Sequence, residues 1–425
     1  MDDSPLRDAL RAAWKQTAPK PFDPARPVVK LHEATYDDEE IAAVLDCLLH
    51  TEVTMGPKVR QFEQEFAKRF GHGHAVMVNS GSSANLLAVA GLANEATANR
   101  LQPGDEVIVP ALCWSTTVWP LIQHQLVPVI VDPDPKTLNI DVEQAARAVG
   151  PKTRAIMPVP IYGNPCDMDA LGALATKHRL TILEDSCESL GATYRGRHVG
   201  SFGRAGTFSF YYSHHITTLE GGMVVTDDFE LAETLRVLRA HGWTREMEQP
   251  KKHLEASPEI HPKFLFVNLG YNLRATEPQG AMGSVQLRKL DRFIQVRSDN
   301  AEHWLRELAG FREFFEFVEV TPGARSSWFG FPMRVKAGAP FTARELMAWF
   351  QSRGIEMRPL NAGNIAVQPA IRRHPHRVVG DLPHANAIMK NGFTFGNHQH
   401  VDAAARDYIT ATPRAFVADK TGRKA

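Results

Sequence analysis

Cysteine is scarce in this 425-residue chain: Cys47, Cys113, Cys166 and Cys187 lie 66, 53 and 21 positions apart. No CxC or CxxC pair is present to seed a metal or iron–sulfur site, and so few thiols suit a reducing compartment better than a disulfide framework. Net charge is missing too, because 48 Lys plus Arg balance 48 Asp plus Glu. Without a chain-wide basic field, nucleic-acid binding and attachment to an anionic membrane are not expected. No run of 18 apolar residues occurs, and the opening MDDSPLRDAL is acidic and mixed. Neither a membrane span nor a secretory signal is expected, and the expected location is the cytoplasm. Internal repeats and low-complexity segments are also absent.

What remains is the composition of a folded globular protein, 43% hydrophobic and 23% charged, long enough for a large domain and a smaller one. An amphipathic stretch around Leu10 and Trp14 is followed by Pro19, Pro21, Pro24 and Pro27, which marks residues 1–30 as an arm. Helical spacing of Ile41, Val44, Leu45 and Leu48, then of Val59, Phe62, Phe66 and Phe70, predicts two amphipathic helices. From Glu106 to Thr226, apolar β-branched runs (EVIVP, VPVIVD, AIMPVP, LTILED, GTFSF, MVVTD) alternate with helical stretches. That alternation predicts a mostly parallel α/β sheet whose ligands sit beyond the carboxyl ends of its strands, at Glu184–Asp185 and the turn after Phe210. A helix around Ala281, Val285, Leu287 and Leu290 leads into a smaller α+β part. The expected division is 1–30 arm, 31–285 large domain and 286–425 small domain.

Taken singly, the polar candidates admit two readings each. NSGSSAN (Asn79 to Asn85) opens a helix rich in Ala and Leu, and suits either an anion or an ordinary Ser cap. Asp185 ends an apolar run, where an acid needs a positive or hydrogen-bonded partner or else caps the next helix. Trp114 follows EVIVP and either stacks on a flat ring or fills core.

The stretch GTFSFYYSHHITTLEGGMVVTDD, Gly206 to Asp228, resembles the cofactor-lysine region of the DegT/DnrJ/EryC1/StrS family of sugar aminotransferases. MGPKVRQFEQEFAKRFG, SGSSAN, ILEDSCESLGA and LGYNLRATEPQGAMGSVQL, in this order, extend the likeness from about Leu31 to beyond His398. The resemblance implies a type I pyridoxal-phosphate transferase fold of the aspartate aminotransferase kind. It also implies pyridoxal 5'-phosphate (PLP) or pyridoxamine 5'-phosphate (PMP) as cofactor.

One departure bears on activity. His214 stands where most of the family has the lysine that binds the cofactor covalently, and no Lys lies between Lys177 and Lys251. Imidazole cannot form that bond, but it can move protons near neutral pH. His at this position resembles the dehydratase branch of the family. Of its two types, the one with a [2Fe–2S] cluster is disfavoured because Trp243 to Asn268 holds no Cys, whereas RAHGWTR, SSWFGF, GIEMRP and NGFTFGNHQ resemble the metal-free type.

The resemblance therefore implies 3-dehydration of a nucleotide-linked 4-keto-6-deoxyhexose, with a GDP-linked 4-keto-6-deoxymannose favoured. L-glutamate would be the amino donor, the cofactor non-covalent, and a homodimer the assembly. Ser82, Ser83 and Ser209 would bind the cofactor phosphate, with Asn272 reaching in across the dimer. Trp114 would stack on the ring, Asp185 would hold its nitrogen protonated, Glu188 would lie near its hydroxyl, and His214 would be the acid/base. Arg358 and His398 are candidates for the diphosphate, or plain surface charge. A nucleotide-sugar aminotransferase and a non-catalytic PLP-binding subunit are the competing readings.

Overall fold

The computed structural model describes residues 5–422, so the ends of the expected arm and small domain (1–4 and 423–425) lie outside the described residues. Its principal strands are β1 (His74–Val78), β2 (Glu106–Pro110), β3 (Val127–Val131), β4 (Thr153–Ile156), β5 (Thr181–Asp185), β6 (Ala205–Ser209), β7 (Gly222–Thr226), β8 (Phe315–Phe317), β9 (Phe331–Val335), β10 (Met357–Pro359), β11 (Arg377–Val378) and β12 (Gly392–Phe395). Eight of them form one sheet in the order β1-β7-β6-β5-β4-β2-β3-β11. Only β7 runs against its neighbours.

β6 and β7 are buried at every position, and β2, β3 and β5 at every position after the first. That is why their sequences read as unbroken apolar runs. AIMPVP departs from the expectation, being strand only to Ile156. Pro158 and Pro160 have no N–H for a central ladder, although the Pro158 carbonyl still accepts from Asp185 N at 3.0 Å. Strand β1, five residues at the sheet edge, and the two-residue β11 were not foreseen.

The small domain is an antiparallel sheet in the order β8-β9-β12-β10, around Trp304, Phe315, Phe331, Phe350, Phe393 and Phe395. A 31-residue helix, Glu277–Glu307, runs through the boundary expected at 285/286. Leu287, Leu290 and Phe293 pack with Phe62 and Phe66 in the large domain, whereas Trp304 is central to the small one. The chain also crosses back: Leu360, Ile365, Ile371, Leu382 and Ile388 join the core beneath β2 and β3, and β11 pairs with β3. The arm lies on the small domain, with Val29 N donating to Gly354 O (2.8 Å) and Glu356 N to Val29 O (2.9 Å).

The long helix also fixes the entry helix Pro57–Phe70. Glu277, 1% exposed, accepts from Gly56 N (2.7 Å) and Val59 N (3.0 Å) on one oxygen and from Lys58 N (2.8 Å) on the other. These N–H groups have no partner within their own helix, and a carboxylate there also meets the positive end of the helix dipole. Glu277→Gln leaves a single acceptor oxygen and turns an N–H toward the orphan donors. It should cost roughly 1–3 kcal/mol, and an unchanged urea midpoint would contradict this role.

Candidate active site

The carboxyl ends of β1, β2, β5 and β6 face a cleft of about 310 Å³. Asp185 ends β5 in its floor and is 3% exposed. Its Oδ2 accepts from Asn85 Nδ2 (2.9 Å) and Thr117 Oγ1 (2.7 Å), Oδ1 receives a long bond from Cys187 N (3.4 Å), and the Cys187 thiol also reaches this carboxylate. Asn85 is fixed in turn by Thr207 Oγ1 (2.6 Å). One carboxylate oxygen is thus fully engaged and the other nearly uncommitted, as suits an acid kept for a positive partner.

Glu184 does not join it, because alternate strand side chains point to opposite faces. Its oxygens accept from Gly200 N, Phe202 N and Gly203 N on the far side of the sheet. Burial pushes its pKa up to about 7 in spite of those three donors. Chemistry expected at Glu184–Asp185 is therefore confined to Asp185.

At the end of β1 the chain turns into the helix Gly81–Ala93, capped by Ser80, whose Oγ accepts from Ser83 N at 3.0 Å. This helix is apolar on most faces and correspondingly buried. Any side chain at Gly81 would put a Cβ 2.4 Å from the Cβ of Ser209, so only glycine lets the helix start approach β6 this closely. Ser82 and Ser209 line the cleft at this helix start, and Trp114 stands over it with its indole 56% exposed.

The turn from Phe210 to Gly221 forms another wall. Phe210 N donates to Gly221 O (2.8 Å), Thr218 N to Phe210 O (2.9 Å), and Thr217 N to Gln286 Oε1 (3.0 Å). His215 Nε2 meets Ser327 O at 3.0 Å. Gln286 is fully buried and also binds Thr35 and Glu40, so the helix Asp38–Leu49, the segment just before it, the long helix and this turn share one amide.

His214 is half-buried, and its Nδ1 is sealed with no partner among the described residues, leaving Nε2 as the nitrogen with access to the cleft. Burial, then Arg358, Arg297 and His32, drive its pKa down to about 3. The ring is thus held neutral, with a nitrogen available to accept a proton. Glu188 lines the cleft beside it. Its Oε2 accepts from Tyr162 N (2.9 Å), and burial pushes its carboxyl up against that bond and the nearby Arg358.

The cleft gathers Ser82, Trp114, Asp185, Glu188, Ser209, His214 and Arg358. Ser83 lines an adjoining groove that meets the cleft at Ser80, Ser82 and Glu220. Asn272 is exposed and outside the cleft of its own chain, its Oδ1 accepting from Arg274 Nε at 3.0 Å. His398 is also outside: it is buried, with Nε2 on Lys30 O (3.1 Å) and Nδ1 accepting from His400 N (3.3 Å), so it fastens the arm. Asn85, Thr117, Phe329 and Asn361 were missed. The NSGSSAN motif already contained Asn85, whereas Phe329 and Asn361 reach the cleft only through the tertiary fold.

An open indole, small hydroxyl residues at a glycine-bound helix start and a buried acid with one free oxygen fit a flat phosphorylated pyridine. No lysine lines the cleft, and no cluster of three metal-ligating side chains occurs among the described residues. No helix there is long and apolar enough to cross a membrane.

Buried histidines also set the acid stability. Burial depresses His72 to about 4 and His398 to about 3, and His215 falls well below its ordinary value. A histidine with a depressed folded pKa contributes stability that is present above about 6.5 and lost as the pH falls toward the folded value. The raised carboxyls of Glu40, Glu184, Glu188 and Glu220 act oppositely, but depressed histidines outnumber them, since His32, His124, His198, His214 and His303 are lowered as well. Calorimetry should show Tm falling from pH 7 to pH 5, less steeply in His398→Asn. A flat or rising Tm over that interval would refute this.

Comparison with known proteins agrees with this geometry. The chain is 42% identical over 374 residues to GDP-4-keto-6-deoxy-D-mannose 3-dehydratase of Escherichia coli O55:H7, covering 87% of this chain and 95% of that protein. It is 36% identical to dTDP-4-dehydro-2,6-dideoxy-D-glucose 3-dehydratase of Saccharopolyspora spinosa, covering 97% and 91%. The crystal structure of the E. coli GDP-4-keto-6-deoxy-D-mannose-3-dehydratase with bound hydrated PLP superimposes with a TM-score of 0.84 at 39% identity, covering 92% of this chain and all of that one. Residues 34–413 match the DegT/DnrJ/EryC1/StrS aminotransferase family, and the chain belongs to it.

Proposed function

We propose that this protein is a PMP-dependent nucleotide-sugar 3-dehydratase, acting on GDP-4-keto-6-deoxy-D-mannose with L-glutamate as amino donor. The observation that carries this reading is a neutral, half-buried His214 in a cleft that contains no lysine. The GDP-specific dehydratase at 42% identity supports the choice of nucleotide. The enzyme works in the cytoplasm, and its product serves 3,6-dideoxysugar synthesis of the colitose type for lipopolysaccharide O-antigen.

Bound in the cleft, the cofactor supplies an amine to engage the sugar's C4 ketone and an electron sink that lets the C3 hydroxyl leave. Ser82, Ser83 and Ser209 hold its phosphate at the helix start, where backbone N–H groups and the dipole favour an anion. Trp114 covers one face of its ring. Asp185 keeps the ring nitrogen protonated through the oxygen left free by Asn85 and Thr117, and Glu188 stands near the ring hydroxyl. His214 takes up a proton at Nε2 and returns it as the hydroxyl departs. With no amine side chain in the cleft among the described residues, no lysine there competes for the cofactor, which stays bound without a covalent tie.

The assembly is a homodimer. Asn272 projects away from its own cleft, and the groove lined by Val44, Ser83, Leu219 and Arg274 opens beside the phosphate end. There the partner subunit's Asn272 completes the phosphate site. Asn272→Ala should raise the Kd for PMP in a spectral titration, and a fully active monomer by light scattering would exclude the dimer.

The function itself is tested at His214. His214→Asn should retain PMP binding and lose roughly 10²–10⁴-fold in release of 3-deoxysugar, assayed with glutamate and a metal chelator present. His214→Lys should bind PLP covalently, seen as a visible absorption band and as cofactor trapped by borohydride, whereas the wild type should trap none. Dehydration at the normal rate by His214→Asn, or a retained amino sugar as wild-type product, would overturn the proposal.

A further inference from the structure

An imidazole that moves protons usually has its ring fixed by a hydrogen bond at the nitrogen not engaged in the chemistry. His214 has no such bond, since Nδ1 is sealed and unpartnered among the described residues. Its plane must therefore be set by packing. Two rings touch it: Tyr211, centroids 6.1 Å apart and itself 45% exposed, and Phe329, centroids 4.9 Å apart at 54°. Phe329 also packs on His215 and Tyr162, and it is the firmer of the two walls.

The backbone that presents Phe329 is in a conformation it would not adopt unaided. Trp328, buried and bulky, has φ +47°, in the left-handed region that favours glycine. Four residues hold it there. Arg297 Nη1 donates to Phe329 O (2.9 Å), to Trp328 O (3.4 Å) and to Asn397 O. Asn397 Nδ2 donates to Trp328 O (3.3 Å) and Arg297 O (3.0 Å). Phe329 N donates to Tyr162 O and Ser327 N to Gly163 O, both at 3.0 Å. Arg297 is 2% exposed and makes no ion pair among the described residues, so carbonyl oxygens are its acceptors. A buried cation without a carboxylate is costly to fold, and here the cost is spent on a single strained loop behind the catalytic turn.

The geometry points to Phe329, clamped by Arg297, as a positioning residue for the proton transfer: its ring sets the plane of the His214 imidazole so that Nε2 faces the cleft. This rests on the dehydratase reading. Phe329→Leu removes the flat face but keeps an apolar side chain. With the dimeric enzyme, kcat for 3-deoxysugar release should fall roughly 10–100-fold, as small misplacements of a catalytic group do. The KM for the sugar and the Kd for PMP should stay within threefold. Phe329→Tyr, which keeps the ring, should recover most of the rate. In sugar-free protein labelled with 15N-histidine, His214 should show one tautomer in the wild type and averaged ring shifts in Phe329→Leu. Arg297→Lys, which keeps the charge without the fork, should show the same change in weaker form and serves if Phe329→Leu does not fold.

A loss confined to KM, a rate within twofold of wild type, or unchanged His214 shifts would overturn the assignment. A wild type that makes an amino sugar would remove the reaction reading, while the nitrogen shifts would still decide whether Phe329 holds the ring.

Discussion

The structure turns on the amide of Gln286. From the long helix it holds Thr217 in the turn after β6, Thr35 just before the helix Asp38–Leu49 and Glu40 within that helix, with no exposure to solvent. The turn that carries His214 is immobilised by hydrogen bonds from both sides. Gln286 does this from one side and Ser327, through His215, from the other. The helix Asp38–Leu49, the sheet and the small domain all converge on the loop after β6.

Around that turn, charge is buried in unusual ways. Glu277 is satisfied by three backbone N–H groups, Glu184 by three more, and Arg297 by backbone carbonyls. Each side chain replaces the backbone partner that a helix end, a turn or a strained loop lacks. Such groups act as struts, because deleting one leaves several buried backbone groups without a bond. Burial first, and then Arg358, Arg297 and His32, keeps His214 neutral, so its basicity is a product of the fold rather than of any one neighbour.

Much of this was legible in the sequence because short-range rules govern it. Runs such as EVIVP and MVVTD gave the central strands, and SGSSAN gave a helix start at the end of an unrecognised strand. The failures share a physical origin. β1, HAVMV, is as long and as buried as β2 but lies outside the Glu106–Thr226 alternation; the prolines of AIMPVP shorten β4; and the alternation of side chains across β5 removes Glu184 from the cleft. Phe329 and Asn361 reach the cleft from far along the chain, and no local pattern encodes such a meeting. His398 looked like a surface ligand because His usually is polar and exposed, yet its ring closes over Lys30 O. The absence of lysine from Lys177 to Lys251 needed no structure to be seen, and it bears most directly on the chemistry.

The helix Glu277–Glu307 has a consequence for how the chain folds. At 31 residues it spans about 46 Å without a break and contributes one end to each hydrophobic core. Residues from Leu360 to Ile388 then return to the first core after the second has begun. Neither core is therefore complete until nearly the whole chain is present. Cutting the polypeptide at any point in the helix would leave two fragments that each lack part of their interior. In synthesis from the N-terminus, the large sheet must wait for its last contributors with apolar surface exposed, which favours late, concerted folding over sequential domain formation.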